Sequence, residues 1–171
     1  LSNGKIDRVA SSTSSAAAQS IYAIYPKNKQ ELWVGTLESL QCFDKRTKTF
    51  TDCSLKVDGQ PFRLSNIQMF FQDSKQRLWI SGREGFYTFR VTDTGLEAVQ
   101  LLPEVHELNK KEVLCVYEQD GGVFWIGTRD GLFRFAEAKR EVKRYTVADG
   151  LPNNLVYGIA MANCGLAQIM G

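Results

Sequence analysis

Short runs of apolar and β-branched residues, separated by polar turns, recur along the chain at a regular spacing. The tryptophans Trp33, Trp79 and Trp125 stand 46 residues apart, and each is followed by an aliphatic residue within a mainly apolar run. Apolar positions on both sides of each tryptophan repeat at the same interval. A repeat of this length, rich in short strand-like runs, indicates a protein built from successive copies of one small β-sheet.

Each repeat unit is predicted to form four short strands, because β-branched and aromatic residues dominate its apolar runs. The tryptophan marks the second strand of each unit. The first, third and fourth strands are predicted, unit by unit, at 21–25, 40–43 and 49–51, at 67–71, 86–89 and 96–100, and at 113–117, 132–135 and 142–146. Glu84-Gly85 and Asp130-Gly131 provide turns between second and third strands, where glycine accepts a positive φ at little steric cost.

Four antiparallel strands in a repeat of about 46 residues predict the blade of a β-propeller. One small sheet cannot bury both of its faces, so successive sheets stack, and the three tryptophans are predicted to be buried between them. The predicted fold class is all-β: a β-propeller fragment with three complete four-stranded blades and partial blades at both ends. The predicted boundaries are 1–19 for the end of a preceding blade and a loop, 20–65, 66–111 and 112–154 for the three blades, and 155–171 for the start of a further blade.

The two ends of the chain bear on how the propeller closes, since propellers need about four to eight blades. Residues 5–9 are predicted to form an outermost strand, 155–160 an innermost strand and 165–170 a poor second strand. Gln168 stands where a fourth tryptophan is expected. Either these partial strands close a ring, or the chain is an open arc whose exposed apolar faces favour self-association or belong to a longer protein.

Composition and charge narrow the class of function. Hydrophobic residues make up 43% and charged residues 23% of the chain, as in an ordinary soluble domain. The net charge of +2 does not indicate a partner such as nucleic acid. No apolar run reaches about 18 residues, so contact with a membrane is expected only through a longer parent protein. The first residues hold neither a methionine nor a basic-then-apolar leader, so the chain is expected to be a piece of that parent.

The sequence offers no catalytic, metal or cofactor motif. The cysteines are Cys42, Cys53, Cys115 and Cys164, without Cys-x-x-Cys spacing, and His106 is the one histidine, so no metal site is predicted. No phosphate-binding glycine loop and no nucleophile elbow are present, so neither a cofactor nor a catalytic residue is predicted. A predicted hairpin brings Cys42 and Cys53 near each other, and a disulfide or two free thiols are the alternatives.

The best case for ligand binding rests on one face of the predicted propeller. There, loops that enter first strands lie beside turns between second and third strands. The candidates are Arg83 and Arg129 in turns, and Asn66, Asn109, Lys110, Asn153 and Asn154 in loops. Arginine offers fixed bidentate donors to anionic groups, so these basic and amide side chains suit sulfated or acidic sugars. The alternative is that they are ordinary solvated turn residues.

Four sequence phrases resemble a known repeat family. They are Leu32-Trp33-Val34-Gly35-Thr36, Phe124-Trp125-Ile126-Gly127-Thr128, Arg129-Asp130-Gly131-Leu132-Phe133-Arg134-Phe135 and Asp149-Gly150-Leu151-Pro152-Asn153-Asn154-Leu155-Val156-Tyr157-Gly158-Ile159. Together they resemble the two-component regulator propeller repeat, found in the sensor region of Bacteroides-type hybrid two-component histidine kinases. The resemblance covers roughly residues 20–159, and the second unit departs from it with Ser81-Gly82 in place of Gly-Thr.

The resemblance implies a periplasmic region with two propellers and an immunoglobulin-like domain ahead of a membrane helix, followed by cytoplasmic kinase and receiver domains. The usual ligands of that family are fragments of complex carbohydrates. The expected function is therefore an extracytoplasmic sensing module, itself not an enzyme, that responds to an oligosaccharide and contacts other blades or domains of its parent. The alternatives are a propeller enzyme of the streptogramin-lyase type, which a single histidine disfavours, and a protein-interaction scaffold.

Overall fold

The computed structural model describes residues 20–93, 95–99, 108–119, 122–161 and 167–170. These residues form β-strands joined by turns, and the described helical segments are the three-residue 3-10 turns Leu108–Lys110, Glu137–Lys139 and Val147–Asp149. The architecture is all-β, as predicted. No helix in the described residues is long and apolar enough to span a membrane. The predicted strand at 5–9, His106 and Cys164 lie outside the described residues.

The strands form successive small sheets in chain order. The first sheet contains β1 (Ile21–Pro26), β2 (Glu31–Thr36), β3 (Leu40–Asp44) and β4 (Thr49–Asp52). The second contains β5 (Leu55–Val57), β6 (Gln60–Phe62), β7 (Met69–Gln72), β8 (Leu78–Gly82), β9 (Gly85–Thr92) and β10 (Gly95–Val99). The third contains β11 (Val113–Gln119), β12 (Val123–Thr128), β13 (Gly131–Ala136) and β14 (Glu141–Tyr145), and the fourth β15 (Gly158–Met161) and β16 (Ala167–Met170).

Each of the first three sheets contains the predicted four antiparallel strands, paired in the order in which they follow along the chain. None of the described sheets closes on itself. This arrangement is consistent with a fragment of a β-propeller.

The hairpin β5–β6 is an addition that the repeat did not predict. Asp58 and Gly59 both adopt positive φ, at 51° and 74°, as a tight two-residue hairpin turn requires. Strand β5 pairs with β10 in parallel, so the hairpin widens the second sheet to six strands. An Asp-Gly pair is a hairpin signal in its own right, and here it falls outside the periodic pattern.

The register of the sheets follows the 46-residue repeat. Trp33 pairs with Tyr25, Trp79 with Phe71, and Trp125 with Tyr117. In the fourth sheet Gln168 pairs with Ala160, so Gln168 occupies the register position of the tryptophans.

Two apolar clusters fill the spaces between the first three sheets. The first joins the first sheet to the second and contains Trp33, Leu40, Leu55, Leu64, Ile67, Leu78, Ile80, Phe89 and Leu96. The second joins the second sheet to the third and contains Met69, Trp79, Phe86, Leu108, Val113, Phe124, Ile126, Phe133 and Phe135. Burying two aliphatic or aromatic faces against each other is the main stabilising contribution to such stacked sheets.

The prediction that all three tryptophans are buried is wrong for Trp125. Trp33 and Trp79 are buried, whereas Trp125 is only half-buried. The residue before each tryptophan belongs to the cluster around the previous one: Leu78 lies with Trp33, and Phe124 with Trp79. In the fourth sheet that register position is Ala167, the residue before Gln168.

Candidate functional site

Loops that enter first strands and turns between second and third strands meet at one end of the sheets, as predicted. The amide of Ile67 donates to Thr36 O at 3.1 Å, and at the equivalent place the amide of Val156 donates to Thr128 O at 2.9 Å. These bonds fasten each entering loop to the turn of the preceding sheet. The loops and turns at this end therefore form one connected surface.

The turn of the second sheet differs from those of the first and third. Thr36 and Thr128 each donate their hydroxyl to the carbonyl three residues on, at 2.9 and 2.8 Å, which locks those turns internally. The second sheet has Gly82 at this position. A Cβ on Gly82 would lie 2.6 Å from Ser65 O, so only glycine lets the entering loop approach this closely.

The entering loop and this turn are then joined to each other. The amide of Arg83 donates to Ser65 O at 2.8 Å. The Glu84 carboxylate accepts from both the amide and the hydroxyl of Ser65, each at 2.7 Å. Glu84 is thereby fixed in place, whereas the Arg83 side chain is exposed and has no partner among the described residues.

Asn66 follows Ser65 in this loop and adopts a left-handed conformation with φ 48°, which asparagine tolerates better than most residues. Its amide donates to Leu37 O of the first sheet at 2.8 Å. Its side-chain oxygen accepts from Gln68 Nε2 at 3.2 Å, so two neutral amide groups lie side by side.

The opposite wall comes from the 3-10 turn Leu108–Lys110 and the two residues after it. Leu108 is buried in the second cluster, which fixes the turn between the sheets. Lys111 Nζ lies 2.5 Å from Asp130 Oδ2, and this hydrogen bond lowers the pKa of Asp130. Lys110 is exposed, and its ammonium has no partner among the described residues.

These elements enclose a cavity of about 320 Å³ where the second and third sheets meet. Its lining residues are Asn66, Gln68, Gly82, Arg83, Glu84, Gly85, Lys110, Lys111 and Glu112. The lining thus contains two cations without an ion-pair partner among the described residues, two side-chain amides and two carboxylates. Cations complement anionic groups, and amides and carboxylates complement hydroxyl groups.

The structure brings together three of the predicted ligand residues: Asn66, Arg83 and Lys110. Arg129 does not line this cavity. Its Nε donates to Glu112 Oε2 at 2.7 Å, and this hydrogen bond raises the pKa of Arg129. The backbone of Asn109 lies in the 3-10 turn, and its side chain is not among those described.

The side-chain oxygens of the two asparagines near the fourth sheet accept hydrogen bonds from backbone amides. Asn153 Oδ1 accepts from the Leu155 amide at 3.0 Å, and Asn154 Oδ1 accepts from the Val147 amide at 2.9 Å. Both side chains therefore shape the loop that enters β15.

Sequence reasoning missed four lining side chains: Gln68, Glu84, Lys111 and Glu112. Glu84 directly follows Arg83 in the same turn, and Lys111 and Glu112 directly follow Lys110. Their positions next to predicted ligand residues in the same turn and loop could have indicated that they line the same surface. The described residues contain no group of three or more His, Cys, Asp or Glu side chains that could hold a metal ion.

Comparison with known proteins bears on the fold. The chain matches no family model and no curated protein. Among solved structures, it resembles the extracellular domain assigned to a one component system, BT4673, from B. thetaiotaomicron, with a TM-score of 0.65 and 19% identity over 88% of this chain. It also resembles the extracellular domain assigned to a hybrid two component system, BT3049, from the same organism, with a TM-score of 0.65 and 20% identity over 88% of this chain.

A further structure of the BT4673 extracellular domain gives a TM-score of 0.63 and 16% identity over 87% of this chain. The chain spans about a fifth of the length of these structures, between 19% and 22%. At this level of identity the likeness establishes a shared fold.

Proposed function

We propose that this chain is part of the extracytoplasmic ligand-sensing region of a two-component sensor, of the hybrid histidine kinase type. The fold shared with extracellular domains of one component and hybrid two component systems supports this. The repeat phrases around Trp33 and Trp125 support it independently. In this role the chain binds a ligand outside the cytoplasm, and other blades and domains of the parent protein transmit the signal.

The observation that carries the proposal is the meeting of three predicted residues at one cavity. Asn66 comes from the loop before β7, Arg83 from the β8–β9 turn and Lys110 from the turn before β11. The cavity volume of about 320 Å³ lies at the lower end of the range of about 300–1,000 Å³ for small-molecule pockets. A site of this size accepts one or two sugar rings of a longer chain.

The proposed ligand is an oligosaccharide that carries a sulfate or carboxylate group. Arg83 and Lys110 supply positive charge that no described side chain neutralises, and arginine matches the planar arrangement of anionic oxygens. The Asn66 and Gln68 amides and the Glu84 carboxylate suit sugar hydroxyls, which both donate and accept hydrogen bonds. Loss of Arg83 should therefore weaken binding of the anionic group more than binding of the neutral ring.

Calorimetry with matched ligands tests the proposal. The chain is titrated with a sulfated oligosaccharide and with the same oligosaccharide after desulfation. We expect the sulfated form to bind more tightly, and Arg83→Ala to weaken its binding about tenfold or more, since charged hydrogen bonds contribute about 1.5–3 kcal/mol. The matched control is Arg46→Ala, which removes an exposed arginine from the β3–β4 turn of the first sheet.

Equal affinity of wild type and Arg83→Ala for the sulfated ligand would remove this cavity from consideration. Cleavage of the sugar during titration would favour the propeller-enzyme alternative. Failure of every glycan to bind, together with capture of another domain of the parent protein, would favour the scaffold alternative.

A further inference from the structure

Two cysteines lie on the same face of the first sheet. Cys42 of β3 pairs with Thr51 of β4. Cys53 stands two residues beyond Thr51, and its amide continues the pairing by donating to Leu40 O at 3.0 Å. Since side chains alternate along a strand, Thr51 and Cys53 point to the same side as Cys42. The register therefore makes the two thiols diagonal neighbours.

The surroundings of the two sulfurs agree with this placement. Burial raises the pKa of Cys53 to about 12, and the adjacent Cys42 side chain adds to the rise. Both cysteines line a cavity of about 220 Å³ between the first and second sheets.

A charged pair lies directly beside Cys42. Lys27 Nζ is 3.6 Å from Cys42 Sγ, and the thiol donates to Glu31 Oε1 at 3.2 Å. Lys27 and Glu31 also form an ion pair at 2.9 Å. Burial and the hydrogen bond to Glu31 raise the pKa of Cys42, and the adjacent Lys27 ammonium offsets part of that rise by favouring the thiolate. Cys42 is therefore the better placed of the two sulfurs to react first.

The third described cysteine has no such environment. Cys115 Sγ donates to Val156 O at 3.7 Å, and burial raises its pKa to about 11. Neither an ammonium group nor another cysteine is paired with it among the described residues. Cys115 therefore serves as an internal comparison for the reactivity of Cys42 and Cys53.

We propose that Cys42 and Cys53 form a reversible disulfide that clamps β3 to the end of β4. With a small disulfide such as oxidised glutathione as oxidant, the Cys42 thiolate attacks one glutathione sulfur and releases one glutathione thiolate. The Cys53 thiolate then attacks Cys42 Sγ, forms the intramolecular bond and releases the second glutathione thiolate. The two protons lost by the cysteines end on the two glutathione thiols, so the protein pair is oxidised and one glutathione disulfide is reduced.

The proposed extracytoplasmic location would supply an oxidising compartment, but the chemistry and its test do not depend on that location. The clamp closes the loop that holds the β3–β4 turn, so it stiffens the first sheet beside Trp33. Ligand binding at the cavity around Arg83 is a separate property, and failure of either proposal leaves the other standing.

To test the proposal, the full chain is oxidised with glutathione disulfide at pH 8. The remaining thiols are then counted in denaturant with Ellman's reagent. We expect two of the four cysteines to be lost. Tryptic digestion without reductant should then yield residues 30–45 linked to residues 49–56, and reductant should separate them. The oxidised chain should melt about 5 °C or more above the reduced chain, as expected for a native crosslink.

Three variants sharpen the result. Cys115→Ser should lose the same two thiols as wild type. Cys53→Ser should stop at a stable glutathione adduct on Cys42, and Cys42→Ser should form no crosslink at Cys53. If all four wild-type thiols stay titratable, or if the linked peptides contain Cys115 or Cys164, the proposal is wrong.

Discussion

Trp79 and Trp125 occupy the same register position in successive sheets, but their surroundings differ. The Trp79 ring lies 4.9 Å from Phe124 of the next sheet, and its Nε1 donates to Asp73 Oδ2 at 2.8 Å inside the core. The Trp125 ring instead packs on Tyr145 of its own sheet at 5.8 Å, and its Nε1 donates to Gln119 at an exposed position. A repeat determines where a side chain stands, and the neighbouring sheet determines whether it is buried.

The ionic groups around the two rings differ in the same way. The Arg77 guanidinium carbon lies 5.4 Å from the centre of the Trp79 ring. Arg77 Nε donates to Asp73 Oδ2 at 2.6 Å. The other two guanidinium nitrogens of Arg77 donate to the carboxylate of Glu137, in the turn after β13, at 2.6 and 3.1 Å. Arg134 lies 6.0 Å from the Trp125 ring and has no ion pair among the described residues. Hydrogen bonds and ion pairs among Asp73, Arg77 and Glu137 thus connect the buried Trp79 and its sheet to the third sheet.

Truncation of the rings should show the largest difference. We expect Trp79→Ala to lower the free energy of unfolding by about 3–5 kcal/mol, the usual cost of removing a fully buried aromatic ring. Trp125→Ala should cost clearly less, about 1–2 kcal/mol, because the side chain is only half-buried and so gains less from burial. Denaturant unfolding of both variants measures the difference, and equal losses would contradict the comparison.

Removal of the two guanidinium groups should have the next largest effect. Arg77→Met leaves the buried Asp73 carboxylate without its cation, and removing one partner of a buried pair costs about 3 kcal/mol. Since Arg77 remains partly exposed, we expect about 2 kcal/mol. Arg134→Met serves as the matched control at Trp125 and should cost less than about 1 kcal/mol. Similar losses in the two variants would mean that the network does not stabilise the interface.

Acid should weaken the Trp79 interface through Glu137. Its hydrogen bond with Arg77 lowers the pKa of Glu137, so the folded protein holds that proton more weakly than the unfolded chain does. The contribution is complete above the unfolded pKa of about 4.3 and is lost as pH falls through the folded value. We expect a smaller loss of stability between pH 5 and pH 3 in Glu137→Gln than in wild type. Parallel pH profiles would exclude this role.

Fluorescence should distinguish the two tryptophans with almost no change in stability. Iodide should quench Trp125, which is half-buried and lies beside the cationic Arg134, and should leave Trp33 and Trp79 unquenched. Trp125→Phe should remove the quenchable component, and Trp79→Phe should keep it. A quenchable fraction that survives Trp125→Phe would place the exposed ring elsewhere.

The repeat explains what could be predicted from sequence. Strand order and tryptophan register depend on local alternation and turn residues, which the 46-residue period displays three times. Asn66, Arg83 and Lys110 could be predicted as neighbours because equivalent loops of successive blades must lie at one end. Their proximity followed from the repeat period alone and required no knowledge of side-chain contacts.

What could not be predicted depends on pairs that are distant in sequence. Arg129 binds Glu112, and Arg77 binds Glu137, 60 residues away along the chain. Neither pairing follows from alternation along a strand. The β5–β6 hairpin had a local signal in Asp58-Gly59, but it lies in a stretch that the other repeat units do not share, so the period gave no indication of it.

The same hairpin also determines which strand forms the rim of the second sheet. Without it, β10 would be the rim strand of the second sheet and would present unpaired amides and carbonyls, on which a foreign strand can assemble. The hairpin moves that rim to β6, a strand of three residues whose middle residue is the exposed Pro61. Proline has no amide hydrogen to offer and blocks further pairing. The hairpin thus protects the rim of the second sheet against pairing with a strand of another molecule.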